Sequence, residues 1–147
     1  MIEIETPTRR ILWSGDFDTW DSPCVKGAVP VQADLLFLES TYGGREKPSR
    51  DEEEARFLER VVEVVERGGT CLVPAFANGR GQDILTILWR SELDFDVHYD
   101  GMGKRILNHY LSHPDYIRDV EVFRKIKRSF YFFTINTNNR QQDKQKL

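Results

Sequence analysis

Two carboxylates stand where a carboxylate can do chemistry. Glu39 follows the apolar run Leu35-Leu36-Phe37-Leu38 and precedes Ser40, Thr41, Tyr42 and two glycines. Four apolar residues in a row have the length and composition of a strand buried on both faces. Gly43 and Gly44 then permit a sharp turn that opens the strand end into a cleft. An ionisable group at that position sits where open α/β sheets place their reactive groups, although an acid can also simply end a strand. Asp16 repeats the logic after Ile11-Leu12-Trp13 and Ser14-Gly15. From such an edge an Asp can bridge two cations through its two oxygens. The plainer alternative is a turn former.

The other reactive residue types form weaker patterns. His109 and His113 stand four apart, the spacing that puts two metal ligands on one helix face. Tyr110 occupies the position where a metalloprotease helix needs Glu, and Pro114 follows directly, so the pair reads as structural or exposed. Gly101-Met102-Gly103 lacks the rest of a dinucleotide fingerprint and any phosphate-loop Lys-Ser/Thr. No Gly-x-Ser-x-Gly nucleophile elbow occurs. Cys24 and Cys71 share no motif spacing, which fits a reducing compartment rather than a disulfide framework or a cysteine zinc site.

The elements that must position Asp16 and Glu39 follow from periodicity. Residues 1–10 are polar and carry little signal, 11–13 form a short strand, and 18–32, with Pro23, Gly27 and Pro30, form a loop. Ser49 and Glu52 fit a capping box that opens a helix. Phe57, Leu58, Val61, Val62 and Val65 give that helix its apolar face, and Gly68-Gly69 give it a left-handed stop. A second buried strand is expected at 70–73, stopped by Pro74. A helix then follows Asn78 as a plausible cap, with Ile84, Leu85 and Leu88 inward. Residues 95–99 alternate as a half-buried strand. A short helix is expected over about 104–112, and a last one carries Val120, Phe123 and Ile126 inward and Arg124, Lys125, Lys127 and Arg128 outward.

Alternating strands and helices predict an α/β class with a largely parallel sheet. Glu39, the turn at 74–76 and Asp100 would then emerge on one side, where a cleft is expected. The chain has 147 residues, 31% charged and 39% hydrophobic, with net charge −3. That is an ordinary balance for one soluble domain, with no global basic field for nucleic acid. No run reaches membrane-spanning length and no signal peptide opens the chain, so a cytoplasmic protein is expected. From residue 129 the composition turns to aromatics and then to Asn, Gln and Lys without periodicity. Residues 129–147 are therefore expected to be a disordered tail, of a kind that a shifted or premature reading frame produces.

Four stretches in this order resemble one family: Trp13-Ser14-Gly15-Asp16-Phe17, Glu39-Ser40-Thr41-Tyr42-Gly43, Val73-Pro74-Ala75-Phe76-Ala77-Asn78-Gly79-Arg80 and Tyr99-Asp100-Gly101-Met102. Their order and spacing are similar to those of the metallo-β-lactamase-fold nucleases with a β-CASP domain. Archaeal relatives of the cleavage and polyadenylation specificity factor nuclease are the nearest type. The resemblance spans about residues 10–128. It implies the C-terminal edge of a metallo-β-lactamase αββα domain at 1–43, followed at 44–128 by the first half of a Rossmann-like β-CASP domain. It further implies that Asp16 is a carboxylate bridging two zinc ions, and that Glu39 is a catalytic acid supporting a histidine near the metals. Ser40, Thr41, Tyr42 and Arg80 are implied as substrate-binding residues, with single-stranded RNA as the substrate.

The family's His-x-His-x-Asp-His motif should lie upstream of Asp16, and its two later histidines beyond Arg128; neither is present. The expectation is therefore a fragment of a zinc-dependent, mRNA 3'-end-processing type ribonuclease. By itself it would hold zinc poorly and not cut RNA, and it would need the remainder of the nuclease or a second copy. A half-domain of this kind would also leave apolar surface uncovered. The alternative reading is a non-catalytic RNA-binding or assembly module.

Overall fold

The computed structural model describes residues 1–132. Two small sheets, four α-helices and one short 3-10 helix make up this part of the chain, in the order β1 (Ile2–Glu5), β2 (Arg10–Trp13), β3 (Leu35–Phe37), α1 (Arg50–Glu66), α2 (Arg80–Arg90), β4 (His98–Tyr99), α3 (Gly103–Ser112), the 3-10 turn (Pro114–Tyr116), α4 (Val120–Ser129) and β5 (Tyr131–Phe132). The architecture is mixed α/β, as expected.

The expected single parallel sheet is replaced by two. In the first, β1 pairs antiparallel with β2, and β2 pairs parallel with β3. In the second, β4 pairs parallel with β5. The N-terminal residues thus supply a strand that their polarity concealed: Glu3 and Glu5 both pair with Arg10, at 2.8 and 2.6 Å. The run 35–38 is not buried on both faces; Leu35, Leu36, Phe37 and Leu38 are about half exposed. Residues 70–73 form no strand, and Leu72 is 90% exposed. Sequence propensity cannot make a strand without a neighbour to complete its ladder, and none lies beside 70–73 among the described residues. For the same reason the expected strand at 95–99 shrinks to the two residues that reach β5.

The helices fall where periodicity placed them. α1 ends as expected: Gly68 adopts φ +76°, and the Gly68 and Gly69 amides donate to the carbonyls of Val65 and Val64 at 2.8 and 2.9 Å. Its start differs, because the Ser49 side chain makes no capping bond and the capping box does not form. Asn78 does not cap α2 either; Gly79 takes that position, and the Asn78 amide oxygen accepts from the Tyr110 hydroxyl at 2.9 Å. α4 is capped by Asp119, whose carboxylate accepts from the Val122 amide.

The core lies among α2, α3 and α4. Leu85, Leu107, Val122, Phe123 and Ile126 are its buried centre, joined by Cys24 from the long loop after β2. The loop is tied in by Arg118, whose amide donates to the Cys24 carbonyl at 2.9 Å. Burial pushes the Cys24 thiol up, far above the range of a reactive thiolate. Two polar residues of α2 are also fully enclosed. The Gln82 side-chain amide donates to the carbonyls of Ala77 and Gly103 and to the Tyr99 hydroxyl, and Thr86 donates to the Gln82 carbonyl. The Tyr99 hydroxyl fits this corner only because α3 starts with glycine: a Cβ on Gly103 would lie 1.9 Å from it. The stretch expected to be disordered from 129 onward begins in regular structure, since Ser129 belongs to α4 and Tyr131 to β5. The rest of that stretch, 133–147, lies outside the described residues.

Candidate functional site

Because β2 and β3 run parallel and side by side, the loops that follow them leave from the same end of the sheet. Ser14 joins the two. It is 2% exposed, and its amide donates to the Phe37 carbonyl at 2.9 Å. Its hydroxyl accepts from the Glu39 amide at 3.0 Å and donates to the Gly15 carbonyl at 2.8 Å. Gly15, at φ +56°, then turns the chain toward Asp16, a conformation that favours glycine.

Past the junction, the Glu39 carboxylate folds over its own loop and accepts from the Thr41 amide at 2.7 Å. That bond to the Thr41 backbone, then the Thr41 hydroxyl and Lys47, hold the Glu39 carboxyl below its ordinary range. Asp18 is similarly lowered, first by the Trp20 amide and then by Lys47, whose ammonium lies 3.2 Å from it. The same ammonium stands 4.7 Å from the centre of the Tyr42 ring.

Between these loops and the first turns of α1 and α2 lies an open cleft of about 560 Å³. Asp16, Glu39, Thr41, Tyr42 and Arg80 all line it. Ser40 is exposed and lies outside its walls, and so do Asp100 and the turn at 74–76. Asp100 instead pairs with Lys104 at 2.6 Å, and Phe76 is 83% exposed. The cleft carries five carboxylates and three cations, Lys47, Arg50 and Arg80. Arg80 is 3.9 Å from Asp83 on its own helix, while burial raises the Glu54 carboxyl on α1. Phe57 of α1 and Ile84 and Ile87 of α2 supply the apolar lining.

The donor set does not fit a dinuclear zinc centre. Asp16 brings one carboxylate, and among the described residues no three His, Cys, Asp or Glu side chains gather to hold a metal ion. The histidines do not complete one. The His113 ring lies 3.0 Å from the His109 carbonyl at the exposed end of α3, and the His98 ring stacks on Tyr131 at 5.1 Å. The His109–His113 pair is thus exposed, as its sequence context suggested.

The roles of three residues at or behind the cleft were not read from the sequence: Ser14, Asp18 and Lys47. Ser14 had a signal, as the small polar residue between a strand and a glycine. Asp18 and Lys47 had none, because their contact joins positions 29 apart across two irregular loops.

Known proteins are similar to this chain over 60% to 90% of its length. It is 32% identical over 135 residues to RNase aCSPSF2 of Saccharolobus solfataricus, a match that covers 90% of this chain and 27% of that protein. It is 40% identical over 128 residues to cleavage and polyadenylation specificity factor 73 of Drosophila melanogaster, covering 81% of this chain and 19% of that one. Over 90 residues it is 46% identical to cleavage and polyadenylation specificity factor subunit 3 of Dictyostelium discoideum, covering 60% and 12%. No protein-family model matches the chain. These relatives are RNA-processing nucleases of the metallo-β-lactamase-fold β-CASP type to which the motifs pointed, and the chain is similar to part of them. It spans between 12% and 27% of the length of these curated relatives. Among the described residues, no helix is long and apolar enough to cross a membrane.

Proposed function

We propose that this chain is part of a zinc-dependent ribonuclease of the mRNA 3'-end-processing type, and that alone it does not cut RNA. The observation that carries this reading is the convergence of Asp16, Glu39, Thr41, Tyr42 and Arg80 on one cleft, in a chain of which 90% aligns with an RNase. Residues 1–43 then belong to the edge of the catalytic domain and 44–128 to the start of the β-CASP domain.

Within that nuclease Asp16 supplies one metal ligand, and Glu39, kept ionised by its loop, orients a group brought by the rest of the protein. Thr41, Tyr42 and Arg80 face the RNA, and Ser40 supports their turn. The remaining ligands come from the remainder of the nuclease, and the whole works in the cytoplasm. With more carboxylates than cations in its cleft, the chain by itself holds RNA weakly, because phosphate binding depends on a surplus of Lys and Arg.

Zinc content by native mass spectrometry, with cleavage of a labelled single-stranded RNA, tests the reading. The expected result is neither zinc nor cleavage for the wild type and for Asp16→Ala alike. Zinc retained together with Asp16-dependent cleavage would show that this chain carries a complete site and would overturn the proposal of inactivity.

A further inference from the structure

Ser14 ties the two cleft loops at their bases, where they leave the sheet. Nothing in regular structure ties their tips, since residues 15–34 and 38–49 contain no helix or strand. Lys47 reaches across this gap. Itself part of the 38–49 loop, it bonds the Asp18 carboxylate across the gap at 3.2 Å, while its ammonium is held over the Tyr42 ring of its own loop at 4.7 Å. Tyr42 in turn helps shape its own loop, since its carbonyl accepts from the Arg45 amide at 3.1 Å. Asp18 likewise fixes its loop by accepting from the Trp20 amide at 3.2 Å.

We propose that Lys47 is a positioning residue that clamps the Asp16 loop to the Glu39 loop through Asp18 and Tyr42, and so sets the width of the cleft. Either contact alone is weak in a half-exposed setting. Both act on one ammonium, however, so closing one contact places the cation for the other and couples the two loops. Arg in its place keeps the charge and can stack on the same ring. Neutral residues lose both contacts. The groups facing the ammonium are Asp18 and Tyr42 directly, with Glu39 and Arg50 nearby and Asp16, Glu53, Glu54 and Arg80 on the walls of the same cleft. Among the described residues, Asp18 forms an ion pair with no cation other than Lys47.

The inference uses the proposed function only for what the cleft is for, and its test needs no nuclease activity. Amide hydrogen exchange on the isolated chain reads each loop by its own bonded amide, Trp20 for one and Arg45 for the other. In Lys47→Met both amides should exchange about two- to fivefold faster, the factor an exposed ion pair sets. The Phe123 and Ile126 amides of α4 should keep their wild-type rates. Lys47→Arg should restore both loops. Asp18→Asn should speed Arg45 on the opposite loop, and should do so only while Lys47 is present. Tyr42→Leu should abolish the ring-current shift of the Lys47 ε-methylene protons. Unchanged exchange at Trp20 in Lys47→Met, or an Asp18→Asn effect confined to its own loop, would overturn the clamp. A chain that shows the coupling and also retains zinc and cuts RNA by itself supports the clamp and overturns only the proposal of inactivity.

Discussion

Phe123 and Phe37 are the same side chain in opposite settings. Phe123 is 1% exposed, between Leu85, Leu107 and Ile126, with the Tyr110 ring edge-on at 5.9 Å. Phe37 is 48% exposed and stacks at 5.4 Å on Trp13, itself 56% exposed. The register of the first sheet puts Ile2, Ile4, Ile11, Trp13, Leu35 and Phe37 on one face, all of them apolar. Among the described residues no helix covers that face, whereas α2, α3 and α4 cover one another. The opposite face of the sheet buries Leu12 and carries the Arg10 ion pairs. Apolar patterning therefore marks both regions equally, and only neighbouring elements turn a pattern into a core. The uncovered face leaves apolar surface open, in a chain that spans between 12% and 27% of the length of the relatives described above.

The contrast predicts unequal costs. Phe123→Ala should lose about 3–5 kcal/mol in equilibrium unfolding, the range for truncating a buried Phe. A loss under about 1 kcal/mol would mean that the helical core is not the source of stability. Ser14→Ala should cost about 1–3 kcal/mol, because the Glu39 amide loses its acceptor in a part-buried place. Its signature is faster exchange of the Glu39 amide with α4 unaffected; a change spread evenly over the chain would deny Ser14 its local role.

Acid should act on the Glu39 loop more gently. The folded Glu39 carboxyl titrates below its ordinary value of 4.5, so its contribution is complete above that pH and is lost as the pH falls through the folded value. Glu39→Gln should flatten that part of the stability profile, and an unaltered profile would remove Glu39 from the loop's support. The smallest thermodynamic effect belongs to the open sheet face. Trp13→Ala should change stability by less than about 1 kcal/mol, since such exposed positions lie outside the mechanisms that give large losses. The same change should raise the concentration at which the chain aggregates, measured by light scattering. A loss as large as that of Phe123→Ala would erase the difference between the two regions.

How far the sequence disclosed this arrangement depended on the kind of contact. Helices α1 to α4 were legible because a 3.6-residue period is local, and the solvent side of α4 carries Arg124, Lys125, Lys127 and Arg128 as the period required. β1 was hidden because its alternating glutamates look like loop composition, although they pair with Arg10. Residues 70–73 read as a strand and are not one, since pairing depends on a partner that local sequence does not contain. Gln82 and Thr86 were missed as core residues because polar side chains give no apolar signal, even when hydrogen bonds enclose them. For the cleft, the two carboxylates were legible as strand-end acids. The Lys47 contacts were not, because loop geometry decides which distant residues meet.

The most direct test of the nuclease reading places this segment in a longer relative. Residues 1–132 would replace the aligned stretch of RNase aCSPSF2, and the chimera would be assayed on single-stranded RNA beside its Asp16→Ala and Glu39→Gln variants. Cleavage by the chimera, with a loss of at least about tenfold in each variant, is the predicted result. A folded chimera that cuts RNA equally well without either carboxylate would contradict the roles proposed for Asp16 and Glu39.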